Sequence, residues 1–147
     1  MVEESVMAKE DFMQKLGSWA FLIGILIALI VGLYQAYTIE STDIENFFQS
    51  DIGGAIAWVL AILGAIVGIL AIMGRGTITQ KETPGFLLAG IGLVVMGGIF
   101  TIMTNLYSLK PFIGSLLAGI SMSLSIFVAP AVGILAIKAI WDMGKDV

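Results

Sequence analysis

Polar chemistry in this chain is confined to a few short sets of residues inside or beside apolar sequence. The stretch "GGIFTIMTN" puts Thr101, Thr104 and Asn105 on one helical face by their three- and four-residue spacing, and "GSLLAGISMSLS" leads to the same relation between Ser121 and Ser125. Hydroxyls and a carboxamide so arranged could line a narrow polar path for a small solute or ion. The plainer reading is that these side chains bond back to carbonyls of their own helix and join helices, at about 0.6 kcal/mol each. A third set, Asp43, Glu45 and Asp51, offers oxygen ligands of the kind that hold calcium, but not in the order of an EF-hand loop. A solvated acidic face is expected there, and no metal or other cofactor is assigned.

Composition removes most other chemistry. The chain has 147 residues, no Cys and no His, which leaves out disulfides, thiolate redox steps, histidine-ligated haem and nearly all zinc sites. Without His, Cys or a carboxylate in an apolar segment, the usual acid, base and nucleophile have no candidate, so no enzyme is expected. A net charge of -4 provides no basic surface for nucleic acid. With 59% hydrophobic and 12% charged residues and a mean hydropathy of +1.03, the chain reads as a single integral membrane domain, its first partner the lipid bilayer.

The elements that must position the polar sets are spanning helices, each needing roughly 20 apolar residues. Four segments qualify, at 17–37, 52–74, 85–106 and 112–141. The leading "MVEESVMAKEDFMQK" carries four acids against two lysines, unlike the basic start of a signal peptide, and no cleavage site follows the first apolar run, so that run is expected to remain as a span. Lys9, Lys15, Arg75, Lys81, Lys138 and Lys145 fall on one side of the threading, against Lys110 on the other. The positive-inside bias then places both termini in the cytoplasm of a plasma-membrane protein. Short second and third connections favour an all-α, antiparallel up-down-up-down bundle.

Small residues recur along every span: Gly24, Ala28 and Gly32 in the first; Gly53, Ala57, Ala61, Gly64 and Gly68 in the second; Gly85 and Ala89 in the third; Gly114, Ala118, Ser121 and Ser125 in the fourth. In lipid, where apolar side chains gain little by leaving the solvent, such stripes allow close backbone packing and drive helix association. Pro130 cannot donate to the Ile126 carbonyl and is expected to bend the fourth span near its middle. In the first outer loop, Thr42 and Glu45 have capping-box spacing, and Ile44, Phe47 and Phe48 share a face. A short amphipathic helix over 43–50 is therefore expected on the outer membrane surface, with Asp43, Glu45, Phe47, Phe48 and Asp51 as the recognition loop.

Three resemblances bear on function. In size, span count and glycine content the chain is similar to proteolipid rotor subunits of rotary ATPases, but their mid-membrane carboxylate has no counterpart in the spans, and the same absence separates it from the small four-helix proton-coupled exporters. Residues 97–105 are similar to the glycine, threonine and phenylalanine segment of small dual-topology fluoride channels; the basic residue of the first span and the Asn of the second span are missing. Over most of its length, through "LGSWAFLIGILIALIVG", "WVLAILGAIVGIL", "KETPGFLLAGIGLVV" and "FVAPAVGILAIKAI", the chain resembles small four-span membrane proteins of archaea that carry no established activity.

The expected role is non-enzymatic: a small subunit or scaffold of a membrane or cell-envelope complex, associating with other membrane chains or with itself. The alternative is a homo-oligomeric passive channel lined by Thr101, Thr104, Asn105, Ser121 and Ser125.

Overall fold

A computed structural model describes residues 2–42, 47–106 and 112–145, without the side chains of 39–42, 101 and 103–106. Four long helices make up the described chain: α1 (Val2–Thr42), α2 (Asp51–Ile72), α3 (Thr83–Leu106) and α4 (Ile113–Lys145), with a 3-10 helix at Phe47–Gln49. All four are long and apolar enough to cross a membrane.

The helix boundaries follow from local chemistry. α1 has no proline, and Glu3 and Glu4 complement the positive end of its dipole, so it begins at Val2, well before the apolar run. Ser50 caps α2: its hydroxyl accepts from Gly53 N at 3.1 Å and donates to the Phe47 carbonyl at 2.7 Å. Beyond Ile72 the chain turns through Gly74 at φ +72°, a conformation glycine adopts without penalty. Before α3, Glu82 accepts from Thr79 N at 3.1 Å, and the Thr83 hydroxyl donates to the Thr79 carbonyl at 2.9 Å.

α4 is the hub, packing along α1, α2 and α3, while α1 also packs on α2. The registers give the directions. Gly24 meets Phe127 and Gly32 meets Ile120, so α1 runs antiparallel to α4; Gly64 meets Phe127 and Gly68 meets Ala131, so α2 runs parallel to it. Gly90 meets Val132 and Gly97 meets Ser121, making α3 antiparallel as well. Helix directions thus alternate along the chain. The compact bundle of sequential neighbours needs one correction: among the described residues α2 and α3 do not pack along each other, although a short connection joins them. α4 has taken the small-residue face of α2, and α3 reaches the bundle only through α4.

The core is assembled from shape. Phe127, almost wholly buried, fills the space that Gly24 leaves open and lies 6.2 Å from the Phe21 ring, and it clusters with Ala20, Ala28, Leu60, Val67 and Leu135. In lipid such a ring gains little by transfer, so its contribution is the close packing it makes with these neighbours.

Candidate functional site

The small residues of α1, α2 and α4 are consumed inside the fold. A β-carbon at Gly24 would strike the Phe127 ring, at Gly64 the Phe127 carbonyl, and at Gly119 the Gly32 carbonyl; at Gly68 it would sit 2.8 Å from the Ala131 Cα. Ala28, Gly114 and Ala118 are buried, while Ala57 and Ala61 are half-buried beside this surface. Gly53 faces elsewhere, against the Phe47 carbonyl. Pro130 lies inside the continuous helix α4 with its Cδ turned toward Gly64, which makes it part of the α2–α4 contact.

α3 divides its small residues between two faces. Gly90 and Gly97 touch α4, whereas a β-carbon added at Gly85 or Gly92 would meet nothing within 4 Å, and Ala89 is exposed. Gly85, Ala89 and Gly92 fall at i, i+4 and i+7, on one outward line. In its most apolar window only 11% of α3 is buried, against 33% for each other helix. This open line is the candidate association site.

Two serines of α4 bond back to their own helix. Ser123 donates to the Gly119 carbonyl at 3.0 Å and Ser125 to the Ser121 carbonyl at 2.6 Å. Ser121 is buried against Gly97, and its hydroxyl, like that of buried Ser115, has no partner among the described residues. An apolar groove of about 390 Å³ runs between α3 and α4 along Val94, Gly98 and Met122 and touches Ser125. The side chains of Thr101, Thr104 and Asn105 lie outside the described residues.

At the end where α1 meets the 3-10 helix, the fold uses a residue that sequence reading missed. Gln35 is fully buried; its Oε1 accepts from Phe47 N at 2.8 Å, and its Nε2 is unpartnered among the described residues. A lone carboxamide inside "LIVGLYQAY" was the available signal. Of the expected helix over 43–50, residues 43–46 lie outside the described residues, and Phe47–Gln49 form a 3-10 helix. Phe47 and Phe48 are half-buried, and the Phe47 ring meets Tyr34 edge-on with centroids 4.9 Å apart. Gln35 turns this segment onto the bundle, where the expectation had its aromatics lying in lipid. Asp43 and Glu45 lie outside the described residues, and Asp51 is exposed in the first turn of α2.

At the opposite end, Gly17 packs so closely on the α2 terminus that a β-carbon there would sit 3.2 Å from the Gly76 Cα, and Arg75 reaches Met13 Sδ at 3.2 Å and Glu10 at 3.7 Å. Lys138 pairs with Asp142 at 2.9 Å, and both border a recess shared with Ala71, Gln80 and Thr83. Among the described residues no three acidic side chains converge on a metal-sized site.

The chain matches no family model, no curated protein and no solved structure.

Proposed function

We propose that the chain is a non-enzymatic, multi-pass plasma-membrane protein with cytoplasmic termini that acts by association, as a small subunit or scaffold of a membrane complex. The carrying observation is the open line of Gly85, Ala89 and Gly92 on a helix that, among the described residues, packs chiefly along α4. A glycine in a lipid-facing helix packs poorly with lipid, but beside another helix it permits close backbone contact. Orientation is supported by position: Arg75 contacts the N-terminal part of α1, and Lys138 borders the recess formed by the α2–α3 connection. These basic residues gather at one end, as the positive-inside rule requires of a cytoplasmic face.

The test is particle mass after mild extraction from native membranes. Ala89→Leu with Gly92→Leu is expected to reduce the assembly to a smaller one while leaving the fold intact. A wild-type particle that is already a single 15.6 kDa chain would remove the reading.

A channel is the second reading, favoured by the unpartnered hydroxyl of Ser121 beside Gly97 and the groove next to it. It predicts solute flux in proteoliposomes that falls when Asn105 and Ser121 become Leu. Unchanged flux in that variant would exclude this lining.

A further inference from the structure

We propose that the C-terminal end of α4 holds a phospholipid whose headgroup carries both a phosphate and a primary amine, its charged end in the recess of Lys138 and Asp142 and its chains in the apolar groove beside Trp141. The proposal takes the four helices as spans; it uses neither the open face of α3 nor the sidedness of the chain.

Depth comes first. The 22 residues of α2 extend about 33 Å, close to the roughly 30 Å of hydrocarbon, so Ile72 marks one edge of the apolar layer. α2 runs parallel to α4 with Gly68 against Ala131, which brings Ile72 level with Leu135. Lys138 therefore starts about 4.5 Å past that edge, within the roughly 5–7 Å that headgroups add to each side of the bilayer.

Two recesses meet at Lys138. One, of about 300 Å³, opens where the end of α2, the start of α3 and α4 come together, and its polar lining is Gln80, Thr83, Lys138 and Asp142. The other, of about 430 Å³, is apolar and runs along Ile72, Ile134, Ile137 and Trp141 to the same lysine. A charged recess at headgroup depth that adjoins an apolar groove at the hydrocarbon edge fits an amphiphile, and the surrounding bilayer supplies one at that depth.

The polar groups select the headgroup. Lys138 donates to Asp142 at 2.9 Å, and both side chains are partly exposed. An exposed pair of this kind contributes little by itself, so its two charges are readily exchanged for those of a ligand. Among the described residues Lys138 is the one cation lining the recess, and its ammonium, a donor only, suits phosphate oxygens. Its neighbours accept. The Asp142 carboxylate has no proton to give, and the Thr83 hydroxyl donates its own to the Thr79 carbonyl at 2.9 Å, so toward the recess it presents lone pairs. A primary ammonium brings N–H donors to both acceptors. The quaternary ammonium of a choline headgroup has none, and a phosphoglycerol headgroup brings only negative charge beside Asp142.

Trp141 lines the groove and reports on it. Two forms would be reconstituted in phosphocholine vesicles, one keeping only Trp141 (Trp19→Phe with Trp58→Phe) and one keeping only Trp19 (Trp58→Phe with Trp141→Phe). Phospholipids brominated near the glycerol end of their chains, with phosphoethanolamine, phosphocholine or phosphoglycerol headgroups, are then titrated in, and bromine quenches a tryptophan that it touches. Trp19 is 64% exposed and lies two residues from Gly17, which packs on the end of α2, so it samples ordinary lipid at a similar depth. The expected result is that the phosphoethanolamine lipid quenches Trp141 at a several-fold lower mole fraction than the other two, while at Trp19 the three are equal. Asp142→Ala should abolish the preference over phosphocholine, and Lys138→Gln should weaken phosphoethanolamine binding several-fold, with helicity unchanged in both. Equal quenching of Trp141 by the three lipids would overturn the site, as would the same preference at Trp19 or a preference that survives both substitutions. A preference for phosphoglycerol would overturn the headgroup assignment, and the proposal with it.

Discussion

Gly64 on α2 lies directly against the carbonyl oxygen of Phe127 on α4, so closely that no β-carbon fits between them. Pro130 Cδ would be 3.5 Å from that same β-carbon. Two parallel helices are held at backbone distance there, and one side chain would push them apart. Gly64→Leu should therefore destabilise the bundle by at least the roughly 1–3 kcal/mol typical of overpacking. Denaturant titration of the detergent-solubilised protein measures this; Gly92→Leu, in open space, should leave the midpoint nearly unchanged.

Phe127 is the opposite case, a large side chain in a space left by a small one. Phe127→Ala should destabilise the bundle through the cavity it leaves, at roughly 24 cal/mol per Å³, since the transfer part of the cost is small in lipid. The exposed Phe112 serves as control, and Phe112→Ala should fall within about 0.5 kcal/mol of wild type. Equal losses from the two would contradict the placement of the core.

Gln35 contributes one good hydrogen bond and one buried donor without a partner among the described residues. Gln35→Leu removes both, so a gain from discarding the unmet Nε2 offsets the loss of the bond to Phe47, and net stability should change by less than about 1 kcal/mol. Locally the change should be large. Hydrogen exchange at the Phe47 amide should accelerate by at least about ten-fold, as loss of a bond worth roughly 1.4 kcal/mol would give, and an unaltered rate would show that Gln35 does not hold the segment.

Arg75 is half-exposed and its pair with Glu10 is long, at 3.7 Å. Arg75→Ala should cost less than about 1 kcal/mol globally, as exposed pairs do. Amides of 5–13 should nevertheless exchange faster, because the N-terminal part of α1 loses its contact with Arg75.

Much of the fold was legible in the chain, because spanning length and apolar composition leave few alternatives: four helices long enough to cross a bilayer are what the structure contains. Helix partnership was less legible. Periodicity shows that Gly64 and Gly68 share a face, yet every helix carries such a face, and only three-dimensional packing makes α4 the hub. Hydropathy alone hides the N-terminal extent of α1, since a helix continues through polar sequence when no glycine or proline stops it, and none occurs between Val2 and Leu16. In the expected outer helix, spacing could not show that a buried carboxamide twelve residues before Phe47 takes its amide. As for the polar sets, Ser123 and Ser125 are bonded to their own helix, a local habit of serine that spacing alone can suggest.

The central claim is that α3 presents an uncovered helix-packing face. Its most direct test is the mass of the particle extracted gently from native membranes, measured in parallel for the wild type and for Ala89→Leu with Gly92→Leu. A wild-type particle heavier than one chain that falls to a smaller assembly in the variant, with unchanged helicity and melting, is the predicted result. An assembly of the same mass in both would contradict it.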